Sequence, residues 1–265
     1  MGDDFLTNLV RSGKWDNDWN DHNLTALNVT VSSLLPADFF PTPDPSLDHI
    51  DPAILNSPLD DTSLAISRDS ARFIEYLDVA TRVPQECFIL DIAAEMLKLL
   101  GFEESRIFVF QPYTIRDETD PVGQTGVCLI HFRPYLVLLV LIVANTLTDE
   151  AGAEAQVVWS AIMAFRLNNK LRRDHGLDPL DAMAIPCITM ANTCPTFYLV
   201  PVTTALSDNI TGQRPSTQTQ VLRCPTVTTC TAGMEDTEYR KLVLKRFLAF
   251  KALAKSHWVH ILEGV

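Results

Sequence analysis

Gly126-Val127-Cys128-Leu129-Ile130, then His131-Phe132-Arg133-Pro134, then Tyr135-Leu136-Val137-Leu138-Leu139-Val140-Leu141-Ile142-Val143: two apolar runs around a four-residue break decide the fold of this chain. The second run has no polar residue from Leu136 to Val143. A strand that is apolar on both sides must be covered on both sides, which predicts the central strand of an α/β layer. Val127–Ile130 fits as its hairpin partner, with Phe132-Arg133-Pro134 at the turn and His131 and Arg133 exposed there. A long helix follows over 153–173. Ala153, Val157, Ala161, Ala164, Phe165 and Asn168 fall on one of its faces, and Gly176 stops it.

Outward from this stretch, Ser67 or Asp69 caps a helix carrying Ala71, Ile74, Leu77 and Ala80. Pro84 opens another, over 84–100, which Gly101 ends. Arg106–Phe110 is a strand. Downstream, 184–190 and 196–202 are two further strands, joined by a turn at Asn192–Pro195. Residues 207–233, rich in Thr, Pro and Gln, predict a long loop with one short strand at Gln220–Leu222. A last helix runs from about Glu235 to Leu262. It has an apolar stripe through Tyr239, Val243, Phe247 and Phe250, and Arg240, Lys241, Lys245, Arg246, Lys251 and Lys255 cover its other faces. The expected class is α/β, a mixed β-sheet flanked by helices.

The chain has 265 residues, enough for one large domain, and a net charge of −12. Residues 1–67 hold eleven Asp against Arg11 and Lys14, a net of −9, which leaves −3 for the rest. We therefore divide the chain into an acidic, Pro-rich arm, 1–67, and an α/β domain, 68–265. The arm also carries Phe5, Trp15, Trp19, Phe39, Phe40, Ile54 and Leu55. It either drapes over the domain and buries these side chains, or it is disordered and docks on a protein partner. Neither part has the basic surface of a nucleic-acid binder. The six cysteines form no C-x-x-C pair and lie in or beside apolar runs. They read as reduced thiols, hence an intracellular setting, cytoplasmic or nuclear. The longest apolar run is too short to span a bilayer, so no membrane association is expected. No nucleophile-elbow, P-loop or dinucleotide fingerprint occurs.

The element order is helix (84–100), three strands (106–110, 127–130, 135–143), helix (153–173), strand (184–190). It resembles the common core of the restriction-endonuclease-like, or PD-(D/E)XK, nucleases. Shorter segments sharpen this: Leu97–Phe102, Gly126–Ile130, Ala153–Gln156, Ala164–Asn169, Ile185–Met190, Pro195–Tyr198 and Phe247–Lys251. In that order they are similar to a large, uncharacterised family of mushroom-forming fungi whose members resemble such nucleases. The similarity spans roughly residues 70–255.

In such nucleases an Asp opens the second strand, and the third ends in a carboxylate, any residue, then Lys. The acids hold Mg²⁺ and the Lys assists the attacking water. Carried onto this chain, the Asp corresponds to Gly126 and the carboxylate-x-Lys to Val143-Ala144-Asn145. Glu95, Glu154 and Gln156 match acidic or amide positions of the pattern. Gly and Val offer no ligand to a hard cation, and Asn145 supplies no positive charge. The resemblance thus implies a pseudoenzyme without cofactor, acting by binding or interaction. The alternatives are an active Mg²⁺-dependent nuclease with relocated acids, Glu95, Asp120 and Glu154, or a protein-interaction module working through the arm. His257 and His260, three apart near the chain end, read as surface residues rather than a metal pair.

Overall fold

The computed structural model describes residues 21–59, 67–83, 85–117, 120–144, 150–209, 215–226 and 233–265. The chain order is α1 (Asp21–Ala26), β1 (Val29–Ser33), α2 (Pro36–Phe39), α3 (Pro52–Asn56), α4 (Arg68–Arg82), α5 (Glu86–Leu99), β2 (Ile107–Asp117), β3 (Asp120–His131) and β4 (Leu136–Val143). It continues with α6 (Glu150–Asp174), β5 (Ala182–Ala191), β6 (Cys194–Thr203), α7 (Thr204–Asp208), β7 (Thr219–Pro225) and α8 (Thr237–Ile261). The strands form one mixed sheet in the order β1-β7-β6-β5-β4-β3-β2. Neighbours are antiparallel except β4 with β5 and β1 with β7, which are parallel. The predicted mixed α/β class and the helix, three strands, helix, strand order are both present as α5, β2, β3, β4, α6, β5.

β4 is buried over all but its last residue, as its unbroken apolar run demands. The two covering layers can be assigned from side chains. Phe197 on β6 meets Phe247 edge-on and Phe250 at a tilt, both of α8, and its cross-strand row runs through Ile188 to Leu141. On the other face, Arg223 on β7 is ion-paired to Glu154 of α6 at 2.6 Å, and its row runs through Tyr198 and Cys187 to Val140. Hence α8 covers one face and α6 the other. α5 lies on the α8 side, where Lys251 of α8 donates to the Leu100 carbonyl at 3.1 Å.

Leu138 is an extra residue in β4, since Ile130 pairs with Val137 and Leu129 with Leu139. Both layers hold this bulge. Asn168 of α6 accepts from the Val137 N–H at 2.7 Å and donates to its carbonyl at 2.8 Å. Trp258 of α8 donates from Nε1 to the Leu138 carbonyl at 3.0 Å. β5 pairs with β4 only over Val140–Val143, so at Val137 an amide side chain takes the place of a strand.

Several expectations need correction. Pro36 and Pro52 of the arm each sit in the first turn of a short helix, where no N–H is needed. β1 pairs in parallel with β7 as an edge strand of the sheet. Phe39, Phe40 and Ile54 lie in the same apolar core as the strands. Phe5, Trp15 and Trp19 lie outside the described residues. The short strand expected at Gln220–Leu222 is present as β7 and is longer, seven residues, because the β6 edge and β1 supply partners along its length.

Most of the basic residues of α8 are partly exposed and engaged in ion pairs or hydrogen bonds. Lys241 pairs with Glu238, Lys245 with Asp44 and Lys255 with Glu104, and Arg246 donates to the Pro43 carbonyl at 2.6 Å. Arg240 is completely buried. Finally, Cys194 is disulfide-bonded, with its partner outside the described residues, whereas Cys87, Cys128, Cys187 and Cys224 are free. The uniform-thiol reading fails at Cys194 and its partner. No helix among the described residues is long and apolar enough to cross a membrane.

Candidate functional site

Gly126 lies on β3 and Val143 ends β4, so the two positions of interest are on neighbouring strands. The register decides whether they can cooperate. Val127 pairs with Leu141 and Cys128 with Val140, which places Gly126 opposite Ile142. The pleat then turns Gly126, Cys128, Val140 and Ile142 toward α6, and Leu141 and Val143 toward α8. Groups at 126 and 143 therefore face different helical layers. A one-residue offset in pairing separates them.

Gly126 is also spatially constrained. A Cβ there would approach the Leu141 backbone carbonyl oxygen to under 3.0 Å, a distance real Cβ atoms do not show, and would lie 3.5 Å from Ile142 Cγ2. The ladder to β2 shifts nearby, between Phe110 and Tyr113, and the distorted strand lets the two backbones close in. Gly126→Asp should therefore lower the urea-unfolding free energy by roughly 2–4 kcal/mol. An unchanged midpoint would show that β4 yields easily.

Glu95, on α5, accepts from Arg72 at 2.6 Å and from Lys98 at 3.0 Å. Glu154, on α6, is held by Arg223. Because α5 and α6 lie on opposite faces of the sheet, Glu95 and Glu154 are not brought together. Gln156 follows on the first turns of α6, half-buried, and the Ser160 hydroxyl donates to its backbone carbonyl at 2.8 Å. The side chain of Asp120 and the whole of Asn145 lie outside the described residues. Among the described residues no group of three or more His, Cys, Asp or Glu is arranged to hold a metal ion. His260 accompanies the Ala182 carbonyl at 3.1 Å and Glu263 at 3.3 Å.

Sequence reasoning places His131 at an exposed turn, yet it is 8% exposed and its Nδ1 has no hydrogen-bond partner among the described residues. It is the last residue of β3, still paired with both Ile107 and Leu136, so it belongs to the sheet and not to the turn. Burial lowers its pKa, with Arg106 acting in the same direction and a backbone hydrogen bond at Arg133 opposing them. His257 is lowered too, by burial first and then by His260. For both, the unfolded chain takes up a proton near pH 6.5 while the folded chain does not. Stability should accordingly fall as pH drops below about 6.5 toward the lower native values. Urea midpoints between pH 7 and 5 check this, and His131→Gln should flatten the slope.

No family model and no curated protein matches this chain.

Proposed function

We propose that this chain is a catalytically inactive, nuclease-like domain whose role is binding or interaction. One observation carries the reading: the β3–β4 register sends positions 126 and 143 to opposite faces of the sheet, with the Leu141 carbonyl occupying the room a side chain at 126 would need. The element order supports the scaffold part of the proposal. The residues present do not fit Mg²⁺, which requires oxygen ligands in near-octahedral array, and Gly126 and Val143 have none on their side chains.

The test is a Mg²⁺ and Mn²⁺ titration with labelled DNA and RNA, following cleavage and binding separately. No metal-dependent cleavage is expected. Cleavage abolished by chelator and by Glu95→Gln or Glu154→Gln would establish the enzyme with relocated acids instead. The acidic composition does not support nucleic acid as the partner, which leaves a protein as the partner class this reading carries. An intracellular setting belongs to the same proposal. Four free thiols, three of them buried, support it, and the disulfide at Cys194 weighs against it.

A further inference from the structure

Away from the β3–β4 positions, α6 presents Arg166, Lys170 and Arg173 along one side of its C-terminal half. These three cations line a cleft of about 500 Å³ whose opposite wall is the 179–181 segment and α7. The spacing of four and three residues stacks them on one helix face. Helix-dipole complementarity accounts for a cation in the last turn, such as Arg173, but Arg166 lies two turns earlier.

The cleft is built from buried bonds. Asn169, 6% exposed, donates to the Leu180 carbonyl at 2.9 Å and accepts from its N–H at 2.8 Å, pinning the far wall to the helix. Arg172, also buried, secures the same segment from behind through the Asp178 carbonyl at 2.8 Å and the Ile261 carbonyl at 3.0 Å. Arg166 reaches across to Ser207 of α7, at 3.0 Å to its hydroxyl and 2.5 Å to its carbonyl. Lys170 pairs with Asp174 at 2.7 Å, at the rim. Arg173 is exposed, and its side chain makes no hydrogen bond or ion pair among the described residues.

The geometry points to a binding site for a small phosphate ester with a hydroxylated body, such as a sugar phosphate. Guanidinium and ammonium groups receive the phosphate. The cleft is also lined by Asp181 and Asp208, which would repel a ligand that is anionic throughout but accept hydrogen bonds from hydroxyl groups. Phe165 and Leu180 give it an apolar floor. The volume lies within the usual range for small-molecule sites. The site is independent of the nuclease-like proposal.

Calorimetric titration of the full chain at low salt with ribose 5-phosphate, inorganic phosphate and ribose tests it. Saturable one-to-one binding of ribose 5-phosphate is expected, about tenfold tighter than inorganic phosphate, with no binding of ribose. Arg173→Gln should weaken binding about tenfold, and Asp208→Asn should narrow the gap between ribose 5-phosphate and phosphate. Both positions are exposed, so thermal midpoints should be unchanged. No saturable binding, equal affinity for inorganic phosphate, or indifference to Arg173→Gln would each overturn the site.

Discussion

Arg240→Ala should cost on the order of 4 kcal/mol or more in urea unfolding, a large share of a typical domain's stability. The guanidinium is fully buried and is surrounded by backbone carbonyls. Nε donates to Met234 at 2.7 Å, and Nη1 donates to Ile54 at 2.9 Å and to Ser57 at 2.8 Å. Nη2 reaches the Glu235 carbonyl at 3.4 Å. Burial pulls its pKa down, while Asp236 and Glu235 hold it up. Removing the side chain leaves these acceptors without donors and opens a cavity, and each buried unpaired group costs about 1–3 kcal/mol. Because two of the bonds end on α3 and its C-cap, protease should cut near residues 52–59 faster in this variant. Arg240→Lys retains the charge but not the planar fork, so it should recover only part of the loss. An unchanged midpoint would mean that the 52–59 segment is anchored by its apolar contacts alone.

Asn168→Leu is expected to lose about 2–4 kcal/mol, because it strips both the donor and the acceptor from a buried peptide unit. Asn168→Asp should be at least as harmful: it keeps an acceptor for the Val137 N–H but sets a carboxylate against the Val137 carbonyl in an apolar layer. Trp258→Phe, which loses the bond to the Leu138 carbonyl, should cost about 1–2 kcal/mol. The two side chains grip consecutive residues of one bulge from opposite faces. A double-mutant cycle of Asn168→Leu with Trp258→Phe should therefore be non-additive by at least about 0.5 kcal/mol. Strict additivity would show that the two layers hold β4 independently.

The centre of the fold was legible in the sequence because its signal is local. The run from Leu136 to Val143 has one physical solution, burial on both faces, and the helical spacings around it define the covering layers. β1 was not legible. Val29–Ser33 has two apolar residues in five and follows an acidic stretch, and only the distant β7 makes it a strand. Arg240 looked like a member of a polar face because composition cannot reveal carbonyls converging from residues 54 and 57. At the candidate site, the identities at 126 and 143 could be read, but the side of the sheet each one faces could not. That depends on register, and a shift of one residue reverses the answer. The clash at Gly126 is likewise a property of a neighbouring backbone.

The parallel pairing of β1 with β7 has a consequence for biosynthesis. Val29 pairs with Thr219, so the first of the described strands must wait for the last of them before its hydrogen bonds can close. At translation rates of about 5–20 residues per second, that delay is roughly 10–40 seconds. During it the nascent chain carries an unpaired strand together with Ile54, Phe39 and Phe40, and the ring partners of the last two, Phe250 on α8 and Phe197 on β6, also emerge late. Eleven aspartates in the first 67 residues keep that waiting segment charged, and so self-repelling, while it has nothing to bury against.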